Sequence, residues 1–424
     1  MLKSWRGAGV CALLTGLSGP VLAQQANYTG LLGSWGGVKP ALAAQGVSFG
    51  VTDSENLLGN VMGGLKTGAT MQGVTTMTMD VDTGKAFGWQ GGDFHVSALQ
   101  LHGQVLSPNY LDTVQSANGN EGDDATRLWE LWYDQATPNG KFDIKIGQQS
   151  VDNEFMVSTY SGLFVNTMAG WPVVPSVDLY GGGPAYPLSA LGVRGQLKPT
   201  GNVTILAGVF DDDPGAGQFD DDAQKLDKSG GRFSLKNGAL WMGELQYTTK
   251  LGGLPGTYKL GGWYDSATFP DQLYSFKHRG NYSLYAVMDQ TVWQSTKDSS
   301  RTVNIFGRVM GAPSKQNLVD FGVNGGVTLA APLPGRDGDQ VGLDVGVATL
   351  SPRAATAIAL ASGRRPHLET LFEATYQAQA TPWLVVQPDI QYVINPGGGV
   401  TDPDDTTHKL KNELVVGARA VVTF

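Results

Sequence analysis

The sequence predicts an all-β protein: a transmembrane antiparallel β-barrel of about 16 strands with a short N-terminal periplasmic helix. The chain closes on an alternating strand, similar segments precede it, and no segment approaches the roughly 20 apolar residues of a spanning helix. One face of the last strand carries Leu414, Val416, Ala418, Ala420, Val422 and Phe424. The other carries Glu413, Gly417, Arg419 and Thr423, with Val415 and Val421 as exceptions. By itself this strand also suits the edge of a soluble β-sandwich.

Alternating segments of about ten residues recur along the whole chain, as membrane-crossing strands require. They span residues 46–54, 73–82, 93–105, 126–137, 141–148, 190–198, 203–211, 239–249, 257–265, 280–292, 301–310, 318–330, 339–350, 367–380, 383–394 and 410–424. An even strand number places both ends of the barrel chain on the same side of the membrane.

The connectors alternate in length, as expected for short periplasmic turns and long outer loops. The short ones are 138–140, 199–202, 250–256, 331–338 and 381–382, and most contain Gly, Asn or Pro. The long ones are 55–72, 106–125, 149–189, 212–238, 266–279, 351–366 and 395–409. Exceptions are a lengthy inner turn at 83–92 and a short outer loop at 311–317, while 236–238 suggests a small extra hairpin. A β-sandwich need not sort its loops in this way, so the pattern favours the barrel.

The N-terminal residues predict export. Residues 1–23 combine Lys3 and Arg6, a short apolar stretch and the small-residue end Val21-Leu-Ala23, as in a signal peptide. Residues 24–45 are expected to form a periplasmic segment with a helix beginning near Pro40, and residues 46–424 the barrel. Cys11, the only cysteine, lies too early in the leader for a lipoprotein site. Disulfides and zinc–thiolate sites are therefore not expected.

The charge of the chain argues against a nucleic-acid partner. The formal net charge is −9, and removal of Lys3 and Arg6 makes it −9 − 2 = −11. Gly is abundant at 59 residues and the hydrophobic content is an ordinary 41%. This composition suits a barrel whose apolar side chains face lipid.

Several motifs, in order and spacing, resemble the carbohydrate-selective porins of Gram-negative outer membranes. They include Trp35-Gly-Gly37, the segments 94–103, 130–135 and 335–342, and Gln387-Pro-Asp-Ile-Gln-Tyr-Val-Ile-Asn-Pro-Gly-Gly398 before the final strand. The resemblance implies a sixteen-stranded barrel that passes glucose and other small sugars by facilitated diffusion, without a cofactor. Outer-membrane lipid and lipopolysaccharide are the expected surroundings, and a homotrimer is possible. The alternatives are a general or cation-preferring porin, or a secreted all-β carbohydrate-binding protein or glycosidase.

Strand parity predicts which side chains face the lumen. In segment 383–394 it places Gln387, Asp389 and Gln391 inward, a ladder of hydrogen-bonding groups roughly 7 Å apart. The same rule places these residues inward: Glu130, Asp134, Asp143, Lys145, Arg194, Glu244, Asp289, Arg308, Asp344, Glu369, Glu373 and Arg419. Each could contact a sugar or simply hydrate and brace the wall. Arg127 and Trp129 fall on the lipid parity, so Arg127 is expected at the rim or at the start of the strand.

The long connector 149–189 is expected to fold into the lumen and narrow it, since sixteen strands enclose an aqueous channel. Its Trp171 could stack on the apolar face of a sugar beside charged groups, or could pack within the loop. The candidate solute path therefore comprises Glu130, Asp143, Lys145, Trp171, Arg194, Arg308, Gln387, Asp389, Gln391 and Arg419.

Other chemistries receive little support. Asp211–213 and Asp220–222 lack the spacing of an EF-hand and are expected to be solvated, although bridging of divalent cations stays open. Glu369 and Glu373 lie roughly 13 Å apart along one strand face, too far for a glycosidase pair. His95 and His102 have opposite parity, which argues against a strand-paired metal site. The mixed, somewhat acidic lumen predicts a mild preference for cations.

Overall fold

A computed structural model describes residues 29–424, and the predicted signal peptide lies outside the described residues. Sixteen antiparallel strands pair in chain order and close through the first and last strands. The strands are Val47–Met62 (β1), Gly68–Asp82 (β2), Gly92–Gly103 (β3), Ala125–Ala136 (β4), Phe142–Gln149 (β5), Ala190–Thr200 (β6), Val203–Phe210 (β7), Leu240–Leu251 (β8), Leu254–Pro270 (β9), Lys277–Gln294 (β10), Thr302–Gly311 (β11), Val319–Ala330 (β12), Gln340–Leu350 (β13), Leu368–Thr381 (β14), Leu384–Ile394 (β15) and Glu413–Thr423 (β16). The predicted fold class and strand number are confirmed.

Two predicted outer loops are shorter than expected. Residues 55–72 were expected as a loop, but β1 and β2 extend into them and leave a turn at 63–67. Likewise β9 and β10 leave 271–276 in place of 266–279. Asn56 and Asn60 lie in this range, and both are buried inside the barrel wall. The expected hairpin at 236–238 was also wrong, since these residues join no strand.

Short helices complete several connectors. They are Val38–Ala44 (α1), Thr83–Phe87 (α2), Val173–Asp178 (α3), Ala223–Leu226 (α4) and Pro352–Ser362 (α5). Helix α2 fills the lengthy inner turn, because Asp82 caps it by accepting from the Lys85 amide at 3.0 Å. Helix α5 follows the N-cap Ser351 and ends at Gly363, whose φ of 77° suits glycine. None of the helices in residues 29–424 has the length and hydropathy that crossing a membrane requires.

The N-terminal segment lies against the seam where the barrel closes. The Leu31 amide donates to the Thr423 carbonyl at 2.8 Å, and Lys39 Nζ donates to the Phe424 carbonyl at 2.7 Å. The Phe424 amide in turn donates to Val51 at 3.0 Å. The predicted short helix is therefore present as α1, beside the periplasmic ends of β1 and β16.

Apolar side chains form two separate regions. Large ones are exposed on the outer face, among them Leu57, Met71, Ile146, Leu260, Leu284, Leu343 and Ile390. A second region lies inside the barrel, where Phe155, Met168 and Trp171 of the connector after β5 pack against the wall residues Phe210 and Trp263. The connector therefore packs against the inner side of the wall. Val415, the apolar exception on the inward face of β16, packs inside the barrel against Leu58 and Val165.

Candidate solute pathway

Side chains of the wall hold residues 150–189, here called the inner loop, by its backbone. The Arg308 guanidinium donates to the carbonyls of Met156 at 3.2 Å, Gly170 at 2.8 Å and Met168. Gln387 Nε2 donates to the Leu163 carbonyl at 2.6 Å. These donors satisfy carbonyl groups of an irregular segment that has no ladder partner of its own.

Carboxylates of the wall accept from the amides of the same loop. Glu244 accepts from Met156 N at 2.8 Å, and Asp289 accepts from Thr159 N at 2.9 Å. Glu373 accepts from Val165 N at 2.6 Å and from Asn166 N at 3.0 Å. Inward charges on β8, β10 and β14 thus fix the position of the inner loop in the lumen.

A second connector also enters the lumen, which the sequence did not predict. Glu369 accepts from the Thr113 hydroxyl at 2.5 Å and from the amides of Val114 and Gln115 at 3.0 and 2.9 Å. Gln391 Nε2 donates to the Ala117 carbonyl at 2.8 Å. The wall near β14 and β15 is therefore covered by residues 104–124 as well as by the inner loop.

An ion-pair cluster forms where β4, β5 and β6 face the inner loop. Strand register aligns Asp134, Lys145 and Arg194 in one row. Arg194 pairs with Asp134 at 3.0 Å, with Asp143 and, at 2.6 Å, with Glu154 of the loop. Lys145 also pairs with Glu154. Burial alone would raise the pKa of Glu154, but Lys145 and Arg194 together lower it, so this carboxylate stays ionised.

Trp132 lies beside this cluster and was missed by the sequence reasoning. Its ring stacks on His95, with centroids 4.8 Å apart and planes at 14°, while Lys145 Nζ lies 4.7 Å from its centroid. Trp132 Nε1 and His95 Nε2 have no hydrogen-bond partner among residues 29–424, and the same holds for Asp134 Oδ1. The parity shared with Glu130 and Asp134 could have identified Trp132.

The structure brings some of the sequence-predicted site residues together and separates the others. Asp143, Lys145 and Arg194 meet in the cluster, and Glu130 lies next to it, accepting from Ser150 N at 3.0 Å. Asp389 accepts from Gln391 at 2.8 Å on another part of the wall. Arg308, Gln387 and Arg419 are also placed elsewhere and contact inner-loop carbonyls.

Trp171 belongs to the packed interior of the inner loop. Its side chain is 7% exposed and lies in the apolar cluster with Phe155 and Met168. Its Nε1 donates to the Gly182 carbonyl at 2.8 Å. Of the two interpretations given for this ring, packing within the loop is the one that its contacts favour, and stacking on a sugar stays a prediction.

Arg127 lies near the start of β4, one of the two positions expected for it, but its expected lipid-side parity and rim exposure are wrong. The register between β3 and β4 shifts between Ser97 and Ala98, so β4 contains a bulge at Trp129. The bulge turns Arg127 and Trp129 inward, where they are 2% and 5% exposed. A parity rule cannot locate a bulge, because one extra residue reverses the faces of everything beyond it.

The two aspartate runs behave differently. Asp211, Asp212 and Asp213 are buried, against the expectation that they are solvated, and Ser234 N donates to Asp211 at 2.7 Å. Burial raises the pKa of Asp212 to about 7. The second run is largely exposed, and its Asp222 caps α4. Residues 29–424 contain no group of three or more His, Cys, Asp or Glu side chains that could hold a metal.

Comparisons with known proteins match this architecture. Residues 66–424 match the model of a family described as "Carbohydrate-selective porin, OprB family". The chain is 26% identical to Porin B of Pseudomonas aeruginosa over 451 aligned residues, covering 94% of this chain and 92% of that protein. It is 24% identical to the putative porin QuiX of Acinetobacter baylyi, covering 88% and 90%. The high-pH structure of Pseudomonas putida OprB superposes with a TM-score of 0.81 at 22% identity, covering 94% of this chain and 99% of that one, a likeness of fold.

Proposed function

The chain belongs to the carbohydrate-selective porins of the OprB family, which are outer-membrane channels and not enzymes, and we propose that small sugars such as glucose cross it by facilitated diffusion. The concentration gradient drives the movement. The sugar passes through the part of the lumen that the two inward connectors leave open. Outer-membrane lipid and lipopolysaccharide surround the apolar outer face.

One observation carries the proposal: the ion-pair cluster and Trp132 leave hydrogen-bonding atoms without an internal partner. These are the Trp132 donor, a tautomer-dependent ring nitrogen of His95 and a carboxylate oxygen of Asp134; all three atoms are buried in this conformation, so a sugar reaches them only when neighbouring side chains move. Sugar hydroxyls can exchange their water hydrogen bonds for these at little net cost. Such balanced exchange suits passage better than tight capture.

The proposed path runs past Glu130, Asp143, Lys145 and Arg194 together with Trp132. The cations and carboxylates of the cluster are already paired with each other. A neutral solute that passes them therefore does not have to displace water from an unpaired charge. The more distant candidates affect the path indirectly, by influencing the shape of the inward connectors. They are Arg308, Gln387, Asp389, Gln391, Arg419 and Trp171.

The alternative is a general or cation-preferring porin, and the charge of the cluster favours a mild cation preference. Asp134, Asp143 and Glu154 carry three formal negative charges against the two positive charges of Lys145 and Arg194. Fixed charge in a lumen concentrates the counter-ion. A sugar pathway and a cation preference are compatible in one channel, and separate measurements report them.

The proposal can be tested by measuring the conductance of the purified protein in a planar bilayer while glucose is titrated. We expect the ion current to fall saturably with glucose. Trp132→Phe keeps a ring but removes the indole N–H, so the half-saturating concentration should rise about 5-fold, the equivalent of one hydrogen bond of about 1 kcal/mol. Trp241→Phe is the matched control, because Trp241 is 54% exposed on the outer face. Open wild-type channels whose current ignores every sugar would refute the carbohydrate pathway.

A further inference from the structure

Part of the connector between β7 and β8 lies across the outside of the barrel at its outer end. Gln148 of β5 pairs in register with Leu131, which is 40% exposed on the outer face, so both side chains point away from the lumen. Gln148 Nε2 donates to the Gly230 carbonyl at 2.7 Å. Residues 228–239, here called the strap, are therefore attached to the lipid-facing side of the wall.

Further hydrogen bonds hold the strap in place. The Leu128 amide of β4 donates to the Ser229 carbonyl at 2.9 Å. Toward the other end of the strap, the Ser234 amide donates to the Asp211 carboxylate at 2.7 Å. The strap is thus fixed to β4, to β5 and to the residue that follows β7, and the space beneath it is formed before any ligand enters.

A groove of about 430 Å³ lies between the strap and the wall. Ile146 of β5 and Val193 of β6 line its wall side, and Leu235 lines its strap side. These three side chains are 52%, 37% and 71% exposed, so the groove is open to the lipid phase. Asp211 also lines the groove, but its carboxylate already accepts from the strap. An apolar groove that opens toward lipid suits a chain of methylene groups.

The strap carries positive charge next to the groove. Lys228, Arg232 and Lys236 are exposed, and the strap contains no acidic residue. Within residues 29–424 none of these three cations forms an ion pair, so their charges are open to an external anion. Phe233 and Leu235, which are 52% and 71% exposed, lie between Arg232 and Lys236 in the sequence. Basic and large apolar side chains in one short segment suit the boundary between lipid headgroups and acyl chains.

We propose that the strap and the groove bind one molecule of a phosphorylated, acylated lipid of the outer leaflet, namely the lipid A part of lipopolysaccharide. One acyl chain fills the groove, and the strap cations hold a phosphate of the headgroup. Charge complementarity selects this occupant, because a neutral lipid would fill the groove but leave the three cations without a partner. The site depends on placement in the outer membrane and not on which solute crosses the barrel.

The charge part of the site can be tested by native mass spectrometry of the purified, delipidated protein while lipid A with two phosphates is titrated. We expect one molecule to bind with much higher affinity than the next. The triple variant Lys228→Gln, Arg232→Gln, Lys236→Gln should weaken this binding on the order of 100-fold, given the usual contribution of each basic residue near an anionic lipid surface. The matched control removes three exposed cations from other outer loops and should bind as the wild type does. It is Lys315→Gln, Arg365→Gln, Lys409→Gln.

The groove can be tested separately by filling it. Val193→Trp places an indole in the groove and should weaken lipid A binding about 10-fold, the equivalent of roughly two displaced methylene groups. Leu260→Trp is the matched control, because Leu260 is 63% exposed on the outer face and does not line the groove. Heat-modifiable gel mobility shows whether each variant is a folded barrel.

Four outcomes would overturn the proposal. One is wild-type affinity in the folded strap variant, and another is an equal loss of affinity in the control triple variant. The third is wild-type affinity in the folded Val193→Trp protein. The fourth is displacement of lipid A by excess inorganic phosphate, which would show a site for a free anion and not for a lipid. Weaker binding of lipid A from which both phosphates have been removed is the remaining expected result, and equal binding of that lipid would also contradict the proposal.

Discussion

Replacement of Arg308 by methionine should release the inner loop from the wall without unfolding the barrel. The Arg308 side chain is 1% exposed and donates to three loop carbonyls, those of Met156, Met168 and Gly170. A hydrogen bond from a charged donor contributes about 1.5–3 kcal/mol, and contributions within one network are not additive. We therefore expect a loss of about 3–5 kcal/mol of loop-docking free energy, which is less than the sum of three such hydrogen bonds.

That loss raises the population of detached loop about a hundredfold or more, since each 1.4 kcal/mol changes an equilibrium tenfold. The population of detached loop can be measured by hydrogen exchange of amides 155–170 and by single-channel recording. We expect faster exchange and a larger, noisier conductance in Arg308→Met. The control Arg336→Met changes the same side-chain types at a periplasmic turn, where the Arg336 side chain is 41% exposed. Wild-type exchange and conductance in Arg308→Met would refute the conclusion that wall groups hold the loop.

Three further predictions concern the loops. Glu154→Gln removes the carboxylate shared by Lys145 and Arg194, so the reversal potential in a salt gradient should shift toward anions; no shift would show that another region sets ion selectivity. Trp171→Ala should destabilise the loop by about 3–5 kcal/mol in chemical unfolding, whereas Trp171→Phe should destabilise it less. Trp171→Phe should also leave the block of ion current by glucose unchanged. A weaker block in Trp171→Phe would support sugar stacking instead. Burial raises the pKa of Asp212 from its ordinary 3.8 to about 7, so its ionisation opposes folding increasingly as pH rises through that window. Residues 211–239 should therefore resist protease better at pH 5 than at pH 8, and Asp212→Asn should reduce that difference.

Strand number and pairing order could be predicted because alternation and turn residues are local signals. The ends of strands were harder to predict. Residues 55–72 were predicted as a loop although Asn56 and Asn60 lie in strand β1, because inside a barrel a polar inward residue is normal and does not mark the end of a strand. The bulge at Trp129 could not be predicted either, since nothing in the residue types marks the extra position.

For the site, the sequence predicted that side chains point inward, but it did not predict the contacts that they make. Parity correctly turned Asp143, Lys145 and Arg194 toward the lumen, where their partners meet. It could not tell that Gln387 would contact a loop carbonyl, because that contact joins positions 224 residues apart. The fold of an irregular loop depends on such distant contacts and leaves no periodic signal in the chain.

The wall holds the inner loop through backbone amides and carbonyls, and this mode of attachment affects how readily the channel can diversify. Arg308, Glu244 and Asp289 recognise groups that every residue type carries, proline amides excepted. Loop side chains that point away from the packed cluster can then be exchanged without loss of docking. A new solute preference could arise, or be engineered, through substitutions at those loop positions while the barrel and the docked loop backbone stay unchanged.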